Sequence, residues 1–179
     1  LIGLRDLRDY RMSARGNSPT LGTASPFNII TESKTLTAFT ESEIDALYRQ
    51  HTEETGQAFS AEVIARIYEL TCGQPWLVNA IGREIVLKLC GNDFTRTVEV
   101  GMVDIAARNI IVRRDTHVDC LADKLKEPRV RAVIEPILSG GAVMDQMSED
   151  FLYVRDLGLI TQERNGPIRI ANPIYSAVL

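Results

Sequence analysis

Between Thr40 and Gly91 the apolar residues recur at helical spacing, and the residues that start and stop helices interrupt them. That pattern limits this stretch to a packed helical bundle. Thr40 followed by Glu43 is a capping box, in which the threonine oxygen takes one free amide and the glutamate returns to another. Ile44, Leu47, Tyr48 and His51 then fall on one helical face. Ser60 opens a second helix, with Ile64, Ile67, Tyr68 and Thr71 on one face. Gly73 should end it, because glycine tolerates the left-handed conformation that follows a helix. Pro75 stands where a first-turn proline belongs. Val78, Ile81, Ile85 and Leu89 carry the stripe on to Gly91.

A second helical group follows. Val103, Ala106, Ala107, Ile110 and Ile111 form one stripe, and Val118, Leu121, Ala122 and Leu125 another. Val130, Val133, Ile134, Ile137 and Leu138 form a third, in which Pro136 is expected to kink or shorten the helix. Ser148 should open a helix that Gly158 closes. Leu159 to Glu163, Asn165-Gly166 and Ile168 to Ala171 read as a hairpin, since both residues of an Asn-Gly turn accept positive φ. A last helix is expected from Pro173. Helix, kinked connection, helix and hairpin is the order of a winged helix. Ahead of all this, residues 1 to 34 read as a strand, a loop rich in Ser, Gly, Asn and Pro, and a short strand over Phe27 to Ile30. No internal repeat or low-complexity segment is present.

Composition narrows the chemistry. Hydrophobic residues make up 45% of the 179-residue chain and charged residues 25%, as in a soluble globular protein. The net charge of −4 argues against wholesale attraction to nucleic acid or anionic membranes. Cys72, Cys90 and Cys120 make neither a CxxC pair nor a zinc spacing and are expected to be reduced, buried thiols of a cytoplasmic protein. No signal peptide or membrane span is evident, because Arg83, Glu84 and Lys88 break the most apolar stretch. His51 sits on an apolar stripe, where packing is its expected role. His117 stands near Asp115 and Asp119, whose place at a helix start explains the acids through the helix dipole, so no metal site is expected. No Ser or Cys has the setting of an activated nucleophile. The chain opens at Leu1 directly into a strand-like run and stops within the apolar run Ile174 to Leu179, so both ends read as cuts.

Several motifs, in order, carry a family resemblance. Gly73-Gln74-Pro75-Trp76-Leu77-Val78-Asn79-Ala80 resembles the GxP motif of the helical lid in STAND and related AAA-like P-loop ATPases. Leu1 to Tyr10 resembles the strand that carries the sensor-1 arginine there, and Ser25 to Ile29 resembles the last core strand. Tyr153 to Ile160 and Ile170 to Tyr175 resemble the winged helix of bacterial and archaeal AAA-like ATPases of uncharacterised role. The resemblance implies a mainly α fold with minor β: a remnant of an α/β ATPase core over 1–34, a helical lid over 35–95 and a winged-helix domain over 96–179.

It also implies roles. Arg5, and next Arg8, would point a planar guanidinium at the γ-phosphate. Arg5 is equally explained by a strand-end ion pair with Asp6 or Asp9. Gly73, Gln74, Pro75 and Trp76 would lie against the nucleotide from the lid side, although helix punctuation alone explains Gly73 and Pro75. The chain has no GxxxxGK[ST] loop and no strand ending in paired acids to hold magnesium. ATP and Mg²⁺ are therefore expected only in a full-length protein, with an upstream P-loop core of the same polypeptide as partner, and this chain alone should not be catalytic. An unidentified protein partner is expected as well.

Two alternatives stand beside the ATP-driven switch. The first is a winged-helix DNA-binding regulator. The helix that would enter a groove, Ser148 to Leu157, carries Glu149, Asp150 and Asp156 against Arg155, which disfavours it. The hairpin adds only Arg164 and Arg169. A basic cluster at Arg113, Arg114, Lys124, Lys126, Arg129 and Arg131 reads first as a solvated face interspersed with acids. The second alternative is an inert protein-interaction module.

Overall fold

The computed structural model describes residues 37–113, 116–141, 146–162 and 166–179, with the side chains of 116–118 left out. Ala38–Leu179 forms one compact unit. The segment at 1–34, with Arg5 and Arg8, lies outside the described residues, as do Arg114, Asp115, Arg164 and Asn165. The described architecture is mainly helical, with eight α-helices and a two-stranded antiparallel sheet.

Helix α1 spans Glu41–Thr55 and opens on the expected capping box, with both Thr40–Glu43 bonds present. Gly56, at φ +79°, closes it. Helix α2 spans Ala61–Thr71, and the Ser60 side chain accepts from the Val63 amide. Helix α3 spans Pro75–Arg83 with Pro75 in its first turn. The helix does not continue to Gly91 in α form: Glu84–Leu89 is a π-helical segment, closed by the Cys90 amide donating to the Ile85 carbonyl at 2.8 Å. The apolar stripe alone gave no sign of this widening, since a five-residue hydrogen-bond step leaves the composition unchanged. Helix α4 spans Val100–Arg113 and packs on α2, α3 and the π-helical segment.

Most residues of the stripes enter the core of this bundle, joined by Val63 and Leu77, which the stripes omitted, while Tyr68 is exposed and Leu47, Leu89 and Ile111 are only partly buried. Ile44, Ile67, Leu77, Val78, Ile81 and Ile85 are fully buried, as are Val103 and Ala106 of α4. Each large aliphatic side chain among them contributes about 1.5–3 kcal/mol on burial. Tyr48 stacks on Phe59 with ring centroids 4.5 Å apart, and its hydroxyl donates to the Val78 carbonyl at 2.6 Å. Gly82 makes room for that ring: a β-carbon there would lie 2.5 Å from it. His51 takes a packing role, edge-on to Phe59 and Phe94, with Nε2 within 3.0 Å of the buried Gln57 Oε1. Arg66 on α2 donates through Nε and Nη2 to one oxygen of Asp104 on α4, at 2.9 and 2.8 Å.

Helix α5 spans Thr116–Lys124, α6 Pro128–Leu138 and α7 Glu149–Asp156. Pro136 is accommodated inside α6, two residues from its end, so it shortens the helix more than it divides it. Strands β1 (Ile160–Gln162) and β2 (Ile168–Ile170) pair antiparallel, Ile160 opposite Ile170 and Gln162 opposite Ile168. Helix α8 spans Pro173–Val178 and is capped by Asn172, whose side-chain oxygen accepts from the Tyr175 amide at 2.9 Å. It packs on α2, α4, α5 and β2, which carries the end of the chain back onto the first bundle.

The cysteines depart from expectation. Cys90 is buried, but Cys72 and Cys120 are exposed. Cys72 occupies the left-handed cap of α2 at φ +47°, where the backbone turns outward, and Cys120 lies on the open side of α5. No described helix is long and apolar enough to cross a membrane.

Candidate functional site: the Gly73 turn and its adjoining cleft

The turn between α2 and α3 is tightly determined. Cys72 and Gly73 both adopt positive φ, +47° and +75°. Thr71 Oγ1 accepts from the Gly73 amide at 3.2 Å and donates to the Ile67 carbonyl at 2.7 Å. Gln74 caps α3, its Oε1 accepting from the Leu77 amide at 2.6 Å. Asn79 Nδ2 donates to the Pro75 carbonyl at 2.9 Å. On the other side, the Phe39 amide donates to the Gly73 carbonyl at 2.8 Å. A β-carbon on Gly73 would stand 1.8 Å from the Phe39 carbonyl oxygen. Both the φ and the close approach therefore require glycine. Gly73 is buried, Gln74 and Trp76 half-buried, and Pro75 exposed.

Strand β2 lies within electrostatic reach of this turn. Partial burial pushes the Cys72 thiol up from its ordinary pKa, and the positive charge of Arg169 only partly offsets that. The thiol is therefore protonated near neutral pH and is no activated nucleophile.

Next to the turn, along α3 and the π-helical segment, runs an open cleft of about 260 Å³. Trp76, Ala80 and Leu87 supply its apolar walls, and Arg83 and Lys88 stand on its rim. Its floor is Glu84, whose side chain is 5% exposed. Arg113 of α4 grips both carboxylate oxygens, at 3.1 and 2.7 Å, and Asn109 donates to one of them at 3.0 Å. Burial pushes the Glu84 carboxyl up, but the bonds from Arg113 and Asn109, helped by the charges of Arg113 and Lys88, outweigh it and leave the pKa below the ordinary carboxylate value. Of the residues singled out from the sequence, Gln74 and Trp76 stand at this corner of the molecule with Gly73 and Pro75 between α2 and α3. In the sequence Glu84 stands out only as a break in the apolar stretch and Arg113 only within the basic cluster, and Asn109 does not stand out. The only sequence sign is a charged residue inside an apolar stripe, with Asn109 and Arg113 four apart on a later helix.

The basic cluster is largely spent on internal pairs. Lys124 meets Glu127 at 2.7 Å, Lys126 meets Asp123 at 2.6 Å and Arg129 meets Glu127 at 2.9 Å. Arg131 stands 3.7 Å from Glu135, and Arg113 is held by Glu84. Arg129 also lies over the Tyr153 ring, 3.5 Å from its centroid. Each described cation of the cluster thus has an acid beside it. Among the described residues no group of His, Cys, Asp and Glu is placed to hold a metal ion.

No protein-family model matches the chain, and no curated protein sequence or solved structure matches it.

Proposed function

We propose that this chain is the sensor, lid and effector part of an ATP-driven molecular switch, with a winged helix at its C-terminal end. The supporting observation is the order of elements around one rigid turn. A helical bundle centres on Gly73-Gln74-Pro75, and helices α5 to α7 with the β1–β2 hairpin follow it. In this reading the phosphate-binding loop and the magnesium-binding acids belong to an upstream core of the same polypeptide. Arg5, then Arg8, senses the γ-phosphate, and Gly73 to Trp76 faces the nucleotide from the lid. The Phe39–Gly73 backbone bond would make the chain entering α1 move with the turn. The packing of α8 on α2 and α4, and of β2 on α8, would pass that motion to the hairpin.

The test is made in the full-length polypeptide. A fluorescent ATP analogue should bind it, and Arg5→Ala should depress turnover by at least tenfold, about 1.4 kcal/mol of transition-state stabilisation. Failure of the wild-type polypeptide to bind or hydrolyse ATP sinks the reading.

A second reading, a non-catalytic protein-interaction module, has one specific observation in its favour. The approach of Phe39 accounts for Gly73 without any ligand, and the helix start accounts for Pro75. ATP binding by the full-length protein that is lost on Pro75→Ala would count against it. Direct DNA binding is disfavoured by the acids paired with the basic cluster.

A further inference from the structure

We infer that the cleft beside Trp76 is a docking site for an acidic peptide segment of a partner protein, one that inserts a single bulky apolar side chain. The inference shares Trp76 with the ATP reading but otherwise rests on residues that reading does not use, Ala80, Arg83, Glu84, Leu87 and Lys88.

Size is the first argument. At about 260 Å³ the cleft is below the roughly 300–1,000 Å³ of small-molecule and cofactor pockets, and it is open to solvent along the helix. It suits one large side chain of a peptide better than a whole nucleotide. Its walls, Trp76, Ala80 and Leu87, are apolar, and Leu87 is 39% exposed. Aromatic side chains at such positions commonly anchor protein interfaces.

Charge is the second. Glu84 at the floor accepts three hydrogen bonds from Arg113 and Asn109, so its charge is already compensated. Arg83 and Lys88 on the rim have no hydrogen bond or ion pair among the described residues, in contrast to the paired cations of α5 and α6. The cleft therefore presents two positive charges beside an apolar slot, Arg83 and Lys88, neither held by a hydrogen bond or ion pair among the described residues and Lys88 acting on Glu84 only through its field, in a chain whose net charge is −4. Carboxylates flanking an apolar anchor are the complementary pattern.

The third is backbone form. The cleft is built along the π-helical segment Glu84–Leu89. Such segments are rare and recur at functional sites. Glu84, Leu87 and Lys88 of this segment line the opening.

Trp76 is the single tryptophan of the chain, so its fluorescence reports on this cleft alone. The experiment titrates the 179-residue protein with an acetylated peptide of four glutamates around a central phenylalanine, at low and at raised salt. Saturable change in Trp76 emission, weakened by salt, is expected. Arg83→Ala with Lys88→Ala should weaken binding at least tenfold, as should replacing the peptide's phenylalanine by alanine. Both substituted residues lie at the surface, and an unchanged melting curve will show that the variant is folded. No response to the acidic peptide up to millimolar concentration overturns the proposal. So does equal binding of the same peptide with lysines in place of glutamates. Tighter, salt-sensitive binding of a random DNA duplex that depends on Arg83 and Lys88 also overturns it, in favour of a nucleic-acid site.

Discussion

The backbone of Phe39 touches Gly73 so closely, amide to carbonyl at 2.8 Å, that no side chain fits at residue 73. The glycine that reads as helix punctuation is also a packing position. Phe39 thereby fastens the approach to α1 onto the turn between α2 and α3.

Gly73→Ala should therefore cost more than an ordinary positive-φ glycine replacement. Strain at φ +75° adds about 1–2 kcal/mol, and the enforced backbone shift about 1–3 more. Gly56→Ala is the control: its φ is +79°, with nothing within 4 Å of the added carbon, so only the strain applies. Urea unfolding of the two variants should separate them by more than about 1 kcal/mol. Equal losses would show that the Phe39 contact carries no weight.

Glu84 should give the protein an acid-sensitive component. Its carboxyl titrates lower in the folded chain than the ordinary 4.5, because the bonds from Arg113 and Asn109 outweigh the burial that opposes them. The stabilisation is complete above that ordinary value and is lost as pH falls through the folded pKa. Glu84→Gln should lose about 1–3 kcal/mol at neutral pH and show a flatter stability profile below pH 5 or so. An acid limb as steep as the wild type's would assign the sensitivity elsewhere.

Tyr48 acts at the other end of the pH scale. Burial holds its phenol well above the ordinary 10.0, so the folded chain keeps a proton that the unfolded chain releases. Stability is fully present below the ordinary value and declines as pH rises above it. Tyr48→Phe should cost about 0.5–1.5 kcal/mol at pH 7 through the lost bond to Val78, and should reduce the alkaline decline. Thermal melts at pH 7 and pH 11 measure both effects.

Random duplex DNA should bind poorly even at low salt. Lys124, Lys126 and Arg129 would have to abandon Glu127 and Asp123 to reach phosphates, and the acids would remain nearby. Anisotropy of a labelled duplex at about 50 mM salt should show no saturation up to about 100 µM protein. A micromolar Kd with a steep salt slope would refute this view of the α5–α6 surface.

By itself, the sequence determined the local elements. Thr40, Ser60, Ser148 and Asn172 accept amides at helix starts, Pro75 begins α3, and most of the apolar stripes of α1 to α4 entered the core. These are short-range effects, governed by which backbone groups a nearby side chain can satisfy and by which face must leave water. Tertiary structure alone decided the close pass of Phe39 over Gly73, the burial of Glu84 between Arg113 and Asn109, and the return of α8 to the first bundle. In each case the partners lie tens of residues apart. Their meeting depends on the packing angles of whole helices, which no local spacing encodes. The same holds for the cations. Arg83 and Arg113 are alike as residues in a sequence, but Arg113 lies against a buried carboxylate, while Arg83 meets no acid among the described residues and faces an open cleft.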